Sequence, residues 1–131
     1  MRQRNSLPVL AVAATLALAG CARTAPIQNM DNVAVVTSSG KASAAQVRTA
    51  IMAAGTSLGW QMKDAGPGAM EGTLTLRGHT AVVDIPFSAA SYSIRHKRTE
   101  NLQEADGKVH SNYNGWVQNL DRAIRTELVR M

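Results

Sequence analysis

Four groups of residues in this 131-residue chain carry side chains that could do chemistry. Cys21 is the single cysteine, so its thiol can act as a nucleophile but has no partner for a disulfide within the chain. Gly55-Thr56-Ser57-Leu58-Gly59 has the G-x-S-x-G spacing of an activated serine, and Asp84 or Asp106 and then His110 follow in hydrolase order. That chemistry needs the serine on a sharp turn from strand into helix. Here Ser57 falls in the last turn of a helix that leads into a strand, and the chain is too short for the large α/β enzyme folds. Ser38-Ser39-Gly40-Lys41 matches S-x-x-K and fails the same size test. His79, His96 and His110 have no i,i+4 spacing and no flanking cysteine or carboxylate cluster, which metal ligation would need. No catalytic residue, cofactor or metal is therefore expected.

Cys21 stands apart because of what precedes it. Met1-Arg2-Gln3-Arg4-Asn5 is a short basic start, and Leu7–Ala19 is an apolar run of thirteen residues broken only by Pro8 and Thr15. That is the plan of a secretory leader, and it falls short of the roughly 20 residues needed to span a bilayer. Leu18-Ala19-Gly20-Cys21 ends it and resembles the lipobox of bacterial lipoproteins. In that family the cysteine sulfur receives a diacylglyceryl group through a thioether, a peptidase cuts before the cysteine, and the new amine is acylated. The resemblance implies lipidation at Cys21 and a membrane-lipid partner, and small flanking residues give the enzymes access to the thiol. Ala22 rather than Asp after the cysteine resembles lipoproteins sent to the outer membrane, here its periplasmic face. Several buried acyl chains hold firmly where one holds marginally, at about 0.8 kcal/mol per methylene.

Behind the leader, the elements must come from roughly a hundred residues. Loss of residues 1–20 removes Arg2 and Arg4 and leaves twelve basic and nine acidic groups, a net +3. Residues 21–31 are small and polar with Pro26 and read as a tether of up to roughly 35 Å. Residues 32–131 read as one domain. Val33–Val36 is a strand, and Thr37–Gly40 a turn. Ser43 with Gln46 forms a capping box before a helical stripe of Val47, Ile51, Ala54 and Leu58, stopped by Gly59.

From Trp60 the period changes to two. Met70, Gly72, Leu74 and Leu76 share one face, as do Ala81, Val83, Ile85 and Phe87 after a Gly78-His79 loop. This pairing sets Leu76 opposite Ala81 and Leu74 opposite Val83. A turn over Ser88–Ser91 sets Phe87 against Tyr92, Ile85 against Ile94, and Asp84 against Arg95 as an outer ion pair. Pro86 demands a bulge or a strand end. Residues 98–110 have no period beyond an Asp106-Gly107 turn. Ser111 then caps a last helix with Tyr113, Trp116, Val117, Leu120, Ile124 and Leu128 inside and Asp121–Arg125 paired outside.

The fold expected is α+β: two helices on one face of a mostly antiparallel sheet, in the order strand, helix, three or four strands, helix. Gly59-Trp60, Tyr92, Ile94 and Tyr113-Asn114-Gly115-Trp116-Val117 resemble packing motifs of small proteobacterial lipoproteins. This resemblance implies an envelope location and no activity. Trp60 and Trp116 are then core anchors, and Arg95-His96-Lys97-Arg98 is a solvated strand end, with anionic head groups or cell-wall polymers as the competing reading. Nucleic acid is not an expected partner in that compartment. Two functions remain: an anchored module that binds another envelope protein, or a binder of a small ligand in a cleft between helices and sheet.

Overall fold

A computed structural model of the protein describes residues 23–131. The leader and the lipobox, Cys21 included, lie outside the described residues. The chain runs β1 (Thr24–Pro26), β2 (Met30–Ala34), α1 (Ala44–Ser57), β3 (Gln61–Asp64), β4 (Ala69–Leu76), β5 (His79–Pro86), β6 (Ser91–Glu100), β7 (Lys108–His110) and α2 (Ser111–Val129). Five strands form one antiparallel sheet in the order β2-β6-β5-β4-β3, and β1 pairs with β7 in a second, two-stranded sheet. The class is α+β, as expected, with more strands than the sequence pattern announced.

α1 forms where the capping box places it. Ser43 Oγ accepts from the Gln46 amide at 3.1 Å, and Gln46 Oε1 accepts from the Ser43 amide at 2.9 Å. Its apolar stripe buries Val47, Ala50, Ile51 and Ala54. Leu58, expected on that stripe, caps the helix instead and is 42% exposed. Gly59 follows at φ +87°, a conformation a β-carbon would strain. Gly55 has a different reason to be glycine. A β-carbon there would come within 2.3 Å of Met62 Sδ, because β3 crosses close beneath the helix. Packing and chain reversal thus account for both glycines of the G-x-S-x-G match.

The hairpin β4–β5 corrects the expected register. Leu74 faces Ala81 and Leu76 faces His79, so the loop is Arg77-Gly78 and His79 is the first strand residue. Arg77 at φ +52° and Gly78 at φ +79° supply the two left-handed residues of a primed turn, whose twist matches that of the flanking strands. The shift moves the loop by one residue and leaves the pleat parity intact. Met70, Leu74, Ala81, Val83 and Ile85 still enter the core from one face. The next turn holds as expected: Ser88 Oγ accepts from the amides of Ala90 and Ser91, and Phe87 bridges Tyr92. Pro86 ends β5 opposite Ala69.

Three strands carry too little periodicity to be read from sequence: β1, β3 and β7. β1 overturns part of the tether. Thr24 pairs with His110 and Pro26 with Lys108, while Asn114 clamps the segment, its Nδ2 donating to the Pro26 carbonyl and its Oδ1 accepting from the Gln28 amide. The expected first strand also moves, to Met30–Ala34, and pairs with β6. Val36 lies beyond it at 64% exposure. At the start of α2, His110 is the cap rather than Ser111. Its Nδ1 accepts from the Asn112 amide at 3.2 Å. Tyr113, Val117, Leu120, Ile124 and Leu128 are all buried, and Trp116 is half-buried against them.

Candidate functional site

The structure does not gather the serine, histidine and aspartate candidates. Ser57 sits in the final turn of α1 and its hydroxyl donates to the Ala54 carbonyl at 2.7 Å, so it is spent on the helix. Ser38 Oγ donates to the Met131 carbonyl at 2.8 Å, and Ser39 Oγ to the Lys41 carbonyl at 2.8 Å. The histidines go three ways. His79 Nδ1 contacts the Asn101 carbonyl at 2.7 Å, His110 caps α2, and His96 stands edge-on to the Tyr113 ring at 5.2 Å between centroids. Among the described residues no three His, Cys, Asp or Glu side chains converge as a metal site would require.

The run Arg95-His96-Lys97-Arg98 is divided by the pleat and by a bulge. Val82 faces Arg98 while Val83 faces His96, so Lys97 is the extra residue and stays on the outer side with Arg95 and Arg98. Asp84 faces Arg95 in the ladder, but the ion pairs differ from those expected. Arg95 Nε meets Asp31 at 3.2 Å, and Lys97 reaches Asp84 at 3.7 Å. β2 supplies Asp31, a residue that by sequence belongs to the expected tether. Lys97 also donates to Glu71 at 2.7 Å, and Lys63 lies 3.3 Å from the other Glu71 oxygen. The Lys97 hydrogen bond, joined by Lys63 and opposed by burial, holds the Glu71 carboxyl below its usual range. Arg95 and Lys97 thus have carboxylate partners within the sheet, whereas exposed Arg98 has no ion pair among the described residues.

A second set of polar groups lies inside. Tyr92 Oη donates to Asp121 Oδ1 at 2.5 Å, and Arg125 Nε donates to Asp121 Oδ2 at 2.9 Å. Asp121, expected on the outer face of α2, is therefore turned toward β6 and is only 9% exposed. Burial first, and the Asp121 carboxylate second, push the Tyr92 phenol well above its ordinary range. Sequence periodicity could not find this group. An Asp four residues before an Arg reads as a surface pair, and only the partner strand reveals the tyrosine.

Two apolar openings flank the core. One lies between helices and sheet, about 280 Å³, lined by Leu58, Trp60, Leu74, Leu76, Trp116 and Asn119. The other, about 260 Å³, lies near the end of α2 among Ala34, Val36, Arg125, Leu128 and Val129. Val36 and Val129 are 64% and 53% exposed. Among the described residues no helix is long and apolar enough to cross a membrane. Comparison with protein-family models, with curated proteins and with solved structures yielded no match.

Proposed function

We propose that the protein is an envelope lipoprotein, anchored through lipid on Cys21, whose domain binds another envelope protein without catalysing a reaction. The observation that carries this reading is how the reactive side chains are used. Ser57, Ser38, His79 and His110 all serve helix ends, turns or the chain terminus. The two most exposed large apolar side chains among the described residues, Val36 and Val129, lie together around a shallow groove at the far end of α2. Exposed apolar groups grouped in this way favour protein contact. A photo-crosslinking residue placed at Val36 in intact cells should give a discrete protein adduct. The same probe in a Cys21→Ser chain, which cannot be acylated, should lose it. No adduct in either chain, or the same adduct in both, would defeat the proposal.

A second reading, a small-ligand binder, is favoured by the opening at Trp60 and Trp116. It falls between helices and sheet, where that reading expects a cleft. Its volume of about 280 Å³ is just below the usual range of ligand pockets, about 300–1,000 Å³.

A further inference from the structure

The loss of the tether has a geometric consequence. Arg23 is fixed to the domain: its carbonyl accepts from the Ser111 amide at 2.6 Å, at the first turn of α2. In sequence only Ala22 separates Cys21 from Arg23. A lipid on Cys21 would therefore hold this end of the domain near the bilayer surface, a short length of chain away.

Hydrogen bonds trace which residues share that end. The His110 amide donates to the Leu102 carbonyl at 2.6 Å, Asn101 Nδ2 donates to the Gly78 carbonyl at 2.9 Å, and His79 Nδ1 contacts the Asn101 carbonyl. The β4–β5 turn, the end of β6 and the start of α2 are thereby tied together, and the three strands span only about 10 Å across the sheet. Leu76 is the last residue of β4 and 44% exposed, and Leu58 is 42% exposed. Together with half-buried Trp116 they rim the opening between helices and sheet. Arg77 stands beside Leu76 at the turn, and Arg23 and Glu100 belong to the same end, all three exposed. Charges of both signs there leave the apolar rim to decide the contact.

We infer that this rim is a membrane-docking surface: Leu58, Leu76 and Trp116 sink into the headgroup layer of the leaflet that holds the Cys21 lipid, with Arg77 at phosphate level. The inference rests on the proposed anchor and adds to it an orientation. Val36 and Val129 line a separate groove toward the other end of α2, Val129 lying about 20 Å along the helix from Trp116. Leucines and a tryptophan beside an arginine suit an interface in which apolar groups meet acyl chains and the cation meets phosphate.

The single cysteine makes the test direct. Two full-length variants, Leu76→Cys and Val36→Cys, would be produced in a bacterium that processes lipoproteins, where acylated Cys21 is closed to labelling. Each new thiol would carry a polarity-sensitive bimane. The proteins would be reconstituted in phosphatidylethanolamine–phosphatidylglycerol vesicles, with and without brominated acyl chains. Mass spectrometry of the N-terminal fragment would report the lipid on Cys21. The label at 76 should shift to the blue and lose roughly half its emission to bromine, as a group about 5–10 Å deep would. The label at 36 should be unchanged. An acylated chain whose label at 76 stays in water overturns the docking alone. A label at 76 that is shielded but not quenched assigns the rim to a protein and overturns it too. An unmodified Cys21 would sink the anchor and the orientation together.

Discussion

Tyr92 and Tyr113 enter the same core from opposite sides, one from β6 and one from α2, and both are essentially fully buried. Their hydroxyls meet different fates. Tyr92 reaches the Asp121 carboxylate, whose charge Arg125 balances. Among the described residues Tyr113 Oη has no hydrogen-bond partner, and neither has its neighbour His96 Nε2. The latter lies 3.2 Å from Glu104 Oε1 without the alignment a hydrogen bond requires. Burial pushes the Tyr113 phenol upward, and the Glu104 charge adds to it. An answered buried hydroxyl locks two elements in register, whereas an unanswered one only costs desolvation. The comparison therefore separates a polar contact that specifies the docking of α2 on β6 from one that does not.

The largest effect should come from Asp121→Ala, which takes the partner from Tyr92 and from Arg125 at once. The phenol would then be a buried donor with nothing to donate to, and the domain should lose about 2–3 kcal/mol. Denaturant unfolding would measure it. A loss below about 0.5 kcal/mol, the level of an ordinary surface change, would show that Asp121 is solvated and that the trio holds nothing together.

Tyr92→Phe should cost less, about 1–2 kcal/mol, because it removes one charge-assisted bond and leaves Asp121 paired with Arg125. The double variant sharpens the point. If the hydroxyl and the carboxylate act only through each other, Asp121→Ala made in the Phe background should cost clearly less than in the native chain. Full additivity would mean the two residues contribute separately.

These contacts also mark how far the sequence could be read. α1, the β4–β6 meander and α2 were legible because apolar spacing at 3.6 or 2 over many residues leaves one face to bury. The capping box, the Ser88–Ser91 turn and the Asp106-Gly107 turn were legible because their residue types match a local hydrogen-bond geometry. β1, β3 and β7 have three or four residues each, too few to show a period, and their pairing partners are remote in sequence. Nothing local to Thr24-Ala25-Pro26 announces that β7 awaits it some eighty residues later. The hairpin register failed for a narrower reason. Gly78 was given the first loop position, whereas Arg77 accepts the left-handed conformation and takes that place. The same limit hid the surfaces. Leu58 and Leu76 fit their apolar stripes by spacing, and only their positions at the ends of α1 and β4 leave them exposed.

The smallest effect is the most telling. Tyr113→Phe deletes a hydroxyl that makes no hydrogen bond among the described residues and keeps the ring, so the edge-to-face contact with His96 is preserved. Stability should be unchanged or should rise by up to about 1 kcal/mol, since the desolvation cost of an unpaired polar group disappears. The sign decides, because Tyr92→Phe makes the same chemical change and moves stability the other way. A loss at Tyr113 equal to that at Tyr92 would mean that its hydroxyl has a partner after all. Glu104, which lies beside His96 and whose charge acts on the phenol, is then the candidate. Glu104→Gln should then cost more in the native chain than in the Tyr113→Phe background, and equal costs would clear that carboxylate of holding the phenol.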